Sequence, residues 1–370
     1  MKRLILTSLV TCAASLHAEN QLLDALPQSA VQSAFQVLRR DYIRREDLSF
    51  EELNRAALQG LLQRLEFGAE LAQVSGDAAP EEPGVHAEFL APDTAYIRPE
   101  TLGSGEGTLF EKALADSVEK NAKHLILDLR AARVGLFEEA AVMLQSFLPM
   151  GELMFKMKQL ASDDAELFIS KRAPLWEGQL VVLVDSETGP AAEALAAGLY
   201  ARHRALLIGT KTRGATVRYS TIKLSEGANL RYASAEMLLP DGASVFKKGL
   251  VAHFVVTSNL EEKRQVFAQS RGKSHRPFVE DRTRQRFDER ALVARLDPEL
   301  DAYVCKSSGK PMPGDEAQLR DVVTQRALDL LHSNAALQQA RLNWQVKPED
   351  LAPLPEENIP KALPAKPAKP

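Results

Sequence analysis

Cysteine is nearly absent: there are 2 in 370 residues. Cys12 lies in the first 18 residues, so removal of that stretch leaves Cys305 alone, and no internal disulfide can form. Aromatic residues make up only 6% of the chain, no aromatic platform accompanies the basic residues, and the formal charge is −4, which together exclude a general nucleic-acid binder. Past the N-terminus no run reaches the roughly 18 to 20 apolar residues of a membrane span, so no integral span is expected. His86, His124, His203, His253, His275 and His332 are scattered without a pair at ligand spacing, so no metal is expected. No cofactor is expected either. Gly209 to Gly214 has the glycine spacing of a phosphate loop, but Ala215 stands where its lysine must be.

What remains is an ordinary globular composition, 45% apolar and 26% charged, with room for one large α/β domain plus smaller elements, or for two domains. Residues 1–18 combine Lys2 and Arg3, an apolar run from Leu4 to Val10, and small residues up to Ala18. That is an export signal, and the mature chain is expected to begin near Glu19 in a periplasmic or extracellular setting. Leu9-Val10-Thr11-Cys12 gives a lesser alternative, a lipid anchor through Cys12.

A helical module over 19–74 follows, with Val31, Phe35, Leu38 and Tyr42 on one face and Ser49 and Glu52 placed as a capping box before Leu53. Residues 75–94 hold a linker rich in turn formers and a first strand. From 95 to 258 strands and helices alternate, which predicts an α/β fold with a mainly parallel sheet and packed helices. Strands at Glu152–Lys158 and Glu166–Ser170 are read as leading into the central stretch, and Tyr219–Leu224 with Leu230–Leu238 as a hairpin. Residues 259–345 form a charged extension, expected to be helical and solvated, and 346–370 a disordered tail rich in Pro, Ala and Lys.

The centre of this core is Gly178 to Val217. The apolar run Leu180–Val184 is a buried strand, Asp185–Gly189 a polar turn, and Pro190 the first residue of a helix, where its missing N–H costs nothing. Ala205–Ile208 is the next strand. A strand that turns sharply into a helix puts the first helical residues at the positive end of the helix dipole, a common place for a nucleophile or an anion. Pro190 has no nucleophilic atom.

AFQVLRRDYIRREDLSFEELNRAALQGLLQRL, then AYIR, HLILDLR, LVVLVD, a helix carrying Glu193, ALLIGTKTRG, LRYASAEMLLPDG and KKGL follow one another here in an order that resembles the C-terminal processing peptidases, or tail-specific proteases, serine peptidases with a Ser and Lys dyad. The likeness covers about 35–65 and 95–256. Where that family reads Ser-Ala-Ser-Ala-Ser-Glu, this chain has Thr188-Gly189-Pro190-Ala191-Ala192-Glu193, so the nucleophile position is Pro190. The base position is Ala215, in Arg213-Gly214-Ala215-Thr216, and the supporting Gln is Tyr219. Of the glycine pair in Asp-Leu-Arg-Asn-Asn-Pro-Gly-Gly, whose amides face the reacting carbonyl, Val134 replaces the first and Gly135 survives. The short spacing between the two regions leaves no room for the family's PDZ domain.

The resemblance therefore implies an exported, non-catalytic relative that binds peptide segments or an envelope protein, with Gly135 and Gly189 as candidate peptide-binding positions. Two alternatives stay open. Ser186 and Lys211 share the 25-residue separation of Pro190 and Ala215 and could form a rearranged dyad, giving a working peptidase. A structural envelope protein could also use the fold only as a platform. Asp128 with Arg130 is read as an ion pair or turn bond rather than as a general acid. The oligomeric state is left open.

Overall fold

The computed structural model describes residues 24–73, 84–159, 164–225, 227–279 and 319–339, with scattered positions between 297 and 308. The export signal expected at 1–18, most of the expected linker, Cys305, most of the charged stretch beyond 279 and the tail expected from 346 lie outside the described residues. Among the described residues, no helix is long and apolar enough to cross a membrane. The chain divides into two compact units, one of residues up to 77 together with 219–233, the other of 78–218 together with 234 onwards.

The first unit holds α1 (Gln28–Asp41), α2 (Phe50–Leu65) and β1 (Ala69–Gln73). The Ser49 hydroxyl accepts the Glu52 N–H at 3.1 Å, the cap expected from the sequence, and Glu51 and Glu52 sit in the first turn where the helix dipole favours them. β1 pairs antiparallel with Ala228–Tyr232, the start of β10 (Ala228–Leu238).

The second unit is built on a six-stranded sheet: β2 (Val85–Ala91), β3 (Thr94–Pro99), β4 (His124–Asp128), β7 (Gln179–Val184), β8 (Leu206–Gly209) and β11 (Phe254–Val255). Every pairing from β3 to β11 is parallel, and β2 closes the other edge antiparallel to β3. The parallel sheet expected from the alternation of elements is present. Alternate residues feed two cores, as the two-residue period of a strand requires. Leu125, Leu127, Leu180, Val182 and Val184 pack with α3 (Glu106–Glu119), α4 (Phe137–Gln145) and α5 (Pro190–Tyr200). On the other face Tyr96, Ile126, Val181, Leu183 and Ile208 pack with Val279 and with Val323, Ala327, Leu328 and Leu331 of α7 (Val322–Gln339).

Two expectations need correction. β5 (Leu153–Gln159) and β6 (Glu166–Ile169) do not join the parallel sheet; they pair antiparallel with each other, and β5 pairs antiparallel with Ala235–Leu238. Only six residues of sequence separate β5 from β6, too few for the crossover that a parallel pair needs. The charged stretch from 259 is also not simply solvated, because its first helix, α6 (Leu260–Ser270), buries Lys263, Val266 and Ser270. β9 (Val217–Ser225) pairs with β10, as the expected hairpin requires.

Candidate functional site

Loops leaving the C-terminal ends of β4, β7 and β8 meet where open α/β sheets carry their sites. The turn after β7 is closed by its own side chains. The Asp185 carboxylate accepts the Glu187 N–H at 2.8 Å, the Thr188 hydroxyl accepts the Asp185 N–H at 3.0 Å, and the Thr188 N–H reaches the Asp185 carbonyl at 3.1 Å. Pro190 then starts α5 at the first helical position, as its fixed φ and missing N–H favour.

Glu193 lies one turn along from Pro190 on the same face of α5 and is fully buried. Its carboxylate accepts the Gly214 N–H at 2.8 Å, the Ala215 N–H at 2.7 Å and the Thr212 hydroxyl. Burial pushes the Glu193 carboxyl above its ordinary range, against the pull of these three donors. Glu193 thereby draws the loop carrying Ala215 to the start of the helix carrying Pro190. Pro190 and Ala215, the positions to which the resemblance assigns nucleophile and base, thus lie on elements joined through Glu193, and neither side chain has a nucleophilic or basic atom.

The third loop, after β4, packs two of its carbonyl groups against the turn after β7. The Ala132 carbonyl accepts the Gly189 N–H at 2.9 Å, and a Cβ built on Gly189 would run into the Arg133 carbonyl. Gly135 makes an isolated parallel bridge with Leu102, whose N–H reaches the Val134 carbonyl at 2.9 Å and whose carbonyl accepts the Leu136 N–H at 2.8 Å. In a parallel bridge the central residue's own N–H and C=O face the other way. Val134 and Leu136 flank that edge, 64% and 48% exposed.

Ser186 and Lys211 are both exposed, and no hydrogen bond joins them. Lys211 lies against Gly249, on a loop stitched to the neighbouring chain by the Thr212 N–H to the Leu250 carbonyl. Tyr219 belongs to the first unit, where its hydroxyl donates to the Phe67 carbonyl at 2.8 Å and the Arg231 guanidinium lies 3.7 Å from its ring centroid. It supports that unit's packing.

Sequence reasoning missed the buried polar groups that hold these loops. Lys263 of α6, 3% exposed, donates to Asp185 Oδ2 at 2.5 Å and the Arg130 carbonyl at 3.3 Å, and pairs with Glu187 Oε2 at 2.8 Å. Burial alone would raise Glu187, but bonds from Arg264, Lys263 and Arg133 hold its carboxyl at about 2. Arg130 forms the ion pair expected with Asp128, at 2.6 Å, and a second with Asp321 at 2.7 Å. Asp321 caps α7 through the Val323 and Thr324 N–H groups. Burial opposes its charge, yet Arg130 and His275 keep it well below the usual carboxylate range.

His275, one of the scattered histidines, stacks on Tyr96 at 4.9 Å and lies 2.9 Å from Asp321 Oδ2 and 3.4 Å from Ser270 Oγ. Ser270, His275 and Asp321 thus mimic a serine triad in composition. Ser270 and His275 have no exposed surface, and Ser270 Oγ also takes Arg98 Nη1 at 3.0 Å, so the trio locks the structure and admits no substrate. Among the described residues, no group of three or more His, Cys, Asp or Glu could hold a metal.

Residues 93–256 match the family described as Peptidase family S41. The carboxy-terminal processing protease CtpA of Bacillus subtilis is 30% identical over 176 residues, covering 45% of this chain and 38% of that protein. The carboxyl-terminal-processing protease of Synechocystis sp. is 28% identical over 165 residues, with the same shares of 45% and 38%. The chain therefore spans less than two fifths of the length of these relatives. Among solved structures, the photosystem II D1 C-terminal processing protease aligns at 22% identity with a TM-score of 0.40, over 51% of this chain and 48% of that one.

Proposed function

Because residues 93–256 carry a peptidase family S41 domain of the carboxyl-terminal processing kind, we propose that this tail-specific-protease-like chain holds polypeptide segments without cutting them. The observation that carries the reading is the vacancy at the joined loops: Pro190 and Ala215 stand where an oxygen nucleophile and its amine base would be. Hydrolysis by the family mechanism needs that oxygen, a group to take its proton, and amide donors for the oxyanion. Losing a nucleophile or its base costs on the order of a millionfold in rate in serine proteases.

Binding does not depend on those groups. The edge at Val134–Leu136 can take an extended segment by main-chain pairing, with the two exposed apolar side chains beside it. The setting is the cell envelope or outside the cell, on the strength of the first 18 residues, and the partner is a peptide segment or an envelope protein. A working peptidase through Ser186 and Lys211 draws no support from their side chains, which are both exposed and share no hydrogen bond. The test is capture of an unstructured polypeptide by the purified chain, followed by mass analysis of what is recovered. Saturable binding with the polypeptide intact is expected; absence of any binding would overturn the reading.

A further inference from the structure

Two loops of the second unit are sewn together backbone to backbone at the C-terminal end of β8. The Lys247 N–H donates to the Gly214 carbonyl at 2.8 Å, the Thr212 N–H to the Leu250 carbonyl at 3.0 Å, and the Leu250 N–H to the Thr212 hydroxyl at 2.7 Å. A Cβ on Gly214 would meet the backbone nitrogens of Gly249, Lys247 and Lys248, and one on Gly249 would meet the Thr212 carbonyl, so both glycines are required for this approach. Both also have positive φ, +79° and +69°, which glycine adopts at no steric cost.

This stitching places Lys211, Lys247 and Lys248 together on the surface, all exposed. Among the described residues none of the three is ion-paired, and Glu193, which holds the loop of Lys211, is buried and committed to its three donors. Lys247 holds a left-handed backbone, φ +59°, unusual for a residue with a side chain. The cluster stands out against a chain whose formal charge is −4. It lies one strand over from the turn that leads to Pro190, along the same edge of the sheet.

We propose that Lys211, Lys247 and Lys248 form the charge-selecting part of the site, and that the polypeptide segment it holds is acidic. The inference rests on the peptide-holding reading above and names its partner class. A polypeptide fits better than an anionic membrane because the cluster lies along the same end of the sheet as the loop at Gly135, two strands away, whose backbone offers main-chain bonds that lipid cannot use.

The experiment uses the full chain and two labelled extended peptides of equal length, one with glutamates among alternating Val and Thr, the other with glutamine at each glutamate. Fluorescence anisotropy is read over a salt series. At low salt the acidic peptide should bind roughly tenfold more tightly, about twofold for each lysine, and the advantage should fade as salt screens it. In Lys211→Gln/Lys247→Asn/Lys248→Gln the advantage should vanish while the thermal melt is unchanged; Asn tolerates the left-handed backbone at 247. Equal binding of both peptides would overturn the charge selection and leave the peptide-holding reading standing. Binding of neither peptide would overturn both. Capture of anionic vesicles that is lost in the triple variant, with peptide binding unaffected by it, would assign the lysines to a membrane and overturn the proposal.

Discussion

Lys263→Met removes the cation that ties α6 to the turn before Pro190. The side chain keeps a similar volume, so the loss is electrostatic rather than a cavity. Asp185 loses its ion-pair partner at 2.5 Å, while Glu187 keeps Arg133 and Arg264. Breaking a buried pair from one side costs about 3–5 kcal/mol, and the partners left to Glu187 place this case near 3. For a unit of this size that lowers the melting temperature by about 6–12 °C. Urea and thermal unfolding followed by circular dichroism measure it. Asp185→Asn added to Lys263→Met removes the stranded charge while keeping an oxygen for the Glu187 N–H, and should recover about 1 kcal/mol or more. A Lys263→Met protein within about 0.5 kcal/mol of the parent would refute the reasoning.

Three further outcomes follow from the same contacts. Burial alone would raise Glu88, but bonds from His86, Ser274 and the His275 N–H hold it at about 2, like Glu187, against 4.5 for a free glutamate; both contributions are complete above 4.5 and are lost as pH falls towards 2, so hydrogen exchange over 260–279 should accelerate across that window, and unchanged protection would contradict it. Glu193→Gln sets an NH2 group against donors the carboxylate now accepts, so exchange at 212–216 should rise and stability fall by about 2–4 kcal/mol; a silent substitution would remove Glu193 as the clamp of that loop. Pro190→Ser/Ala215→Lys should still cleave nothing, because Val134 and Tyr219 remain where the resemblance places the first glycine of the amide pair and a supporting Gln; measurable turnover would show that the missing dyad was the whole defect.

Local rules carried far in this chain. Pro190 at the first helical position, Ser49 as a cap, and Leu180–Val184 as a buried strand each have a mechanism confined to a few residues, and each stands in the structure as read. What was not legible is pairing over distance. Lys263 meets Asp185 across 78 residues and Arg130 meets Asp321 across 191, and neither contact leaves a periodic trace. A buried lysine inside a charged run reads as one more solvated cation until the fold turns it inward. His275 reads as isolated for the same reason, although it sits between Tyr96 and Asp321. The antiparallel partnership of β5 and β6 was hidden because strand-like runs carry no mark of which sheet they enter.

The most direct test of the central claim is turnover of an unstructured polypeptide by the purified chain, measured beside Ser186→Ala and Lys211→Ala. The account predicts no cleavage above the buffer control in all three proteins. Cleavage by the parent chain that disappears in both variants would contradict it and establish the rearranged dyad.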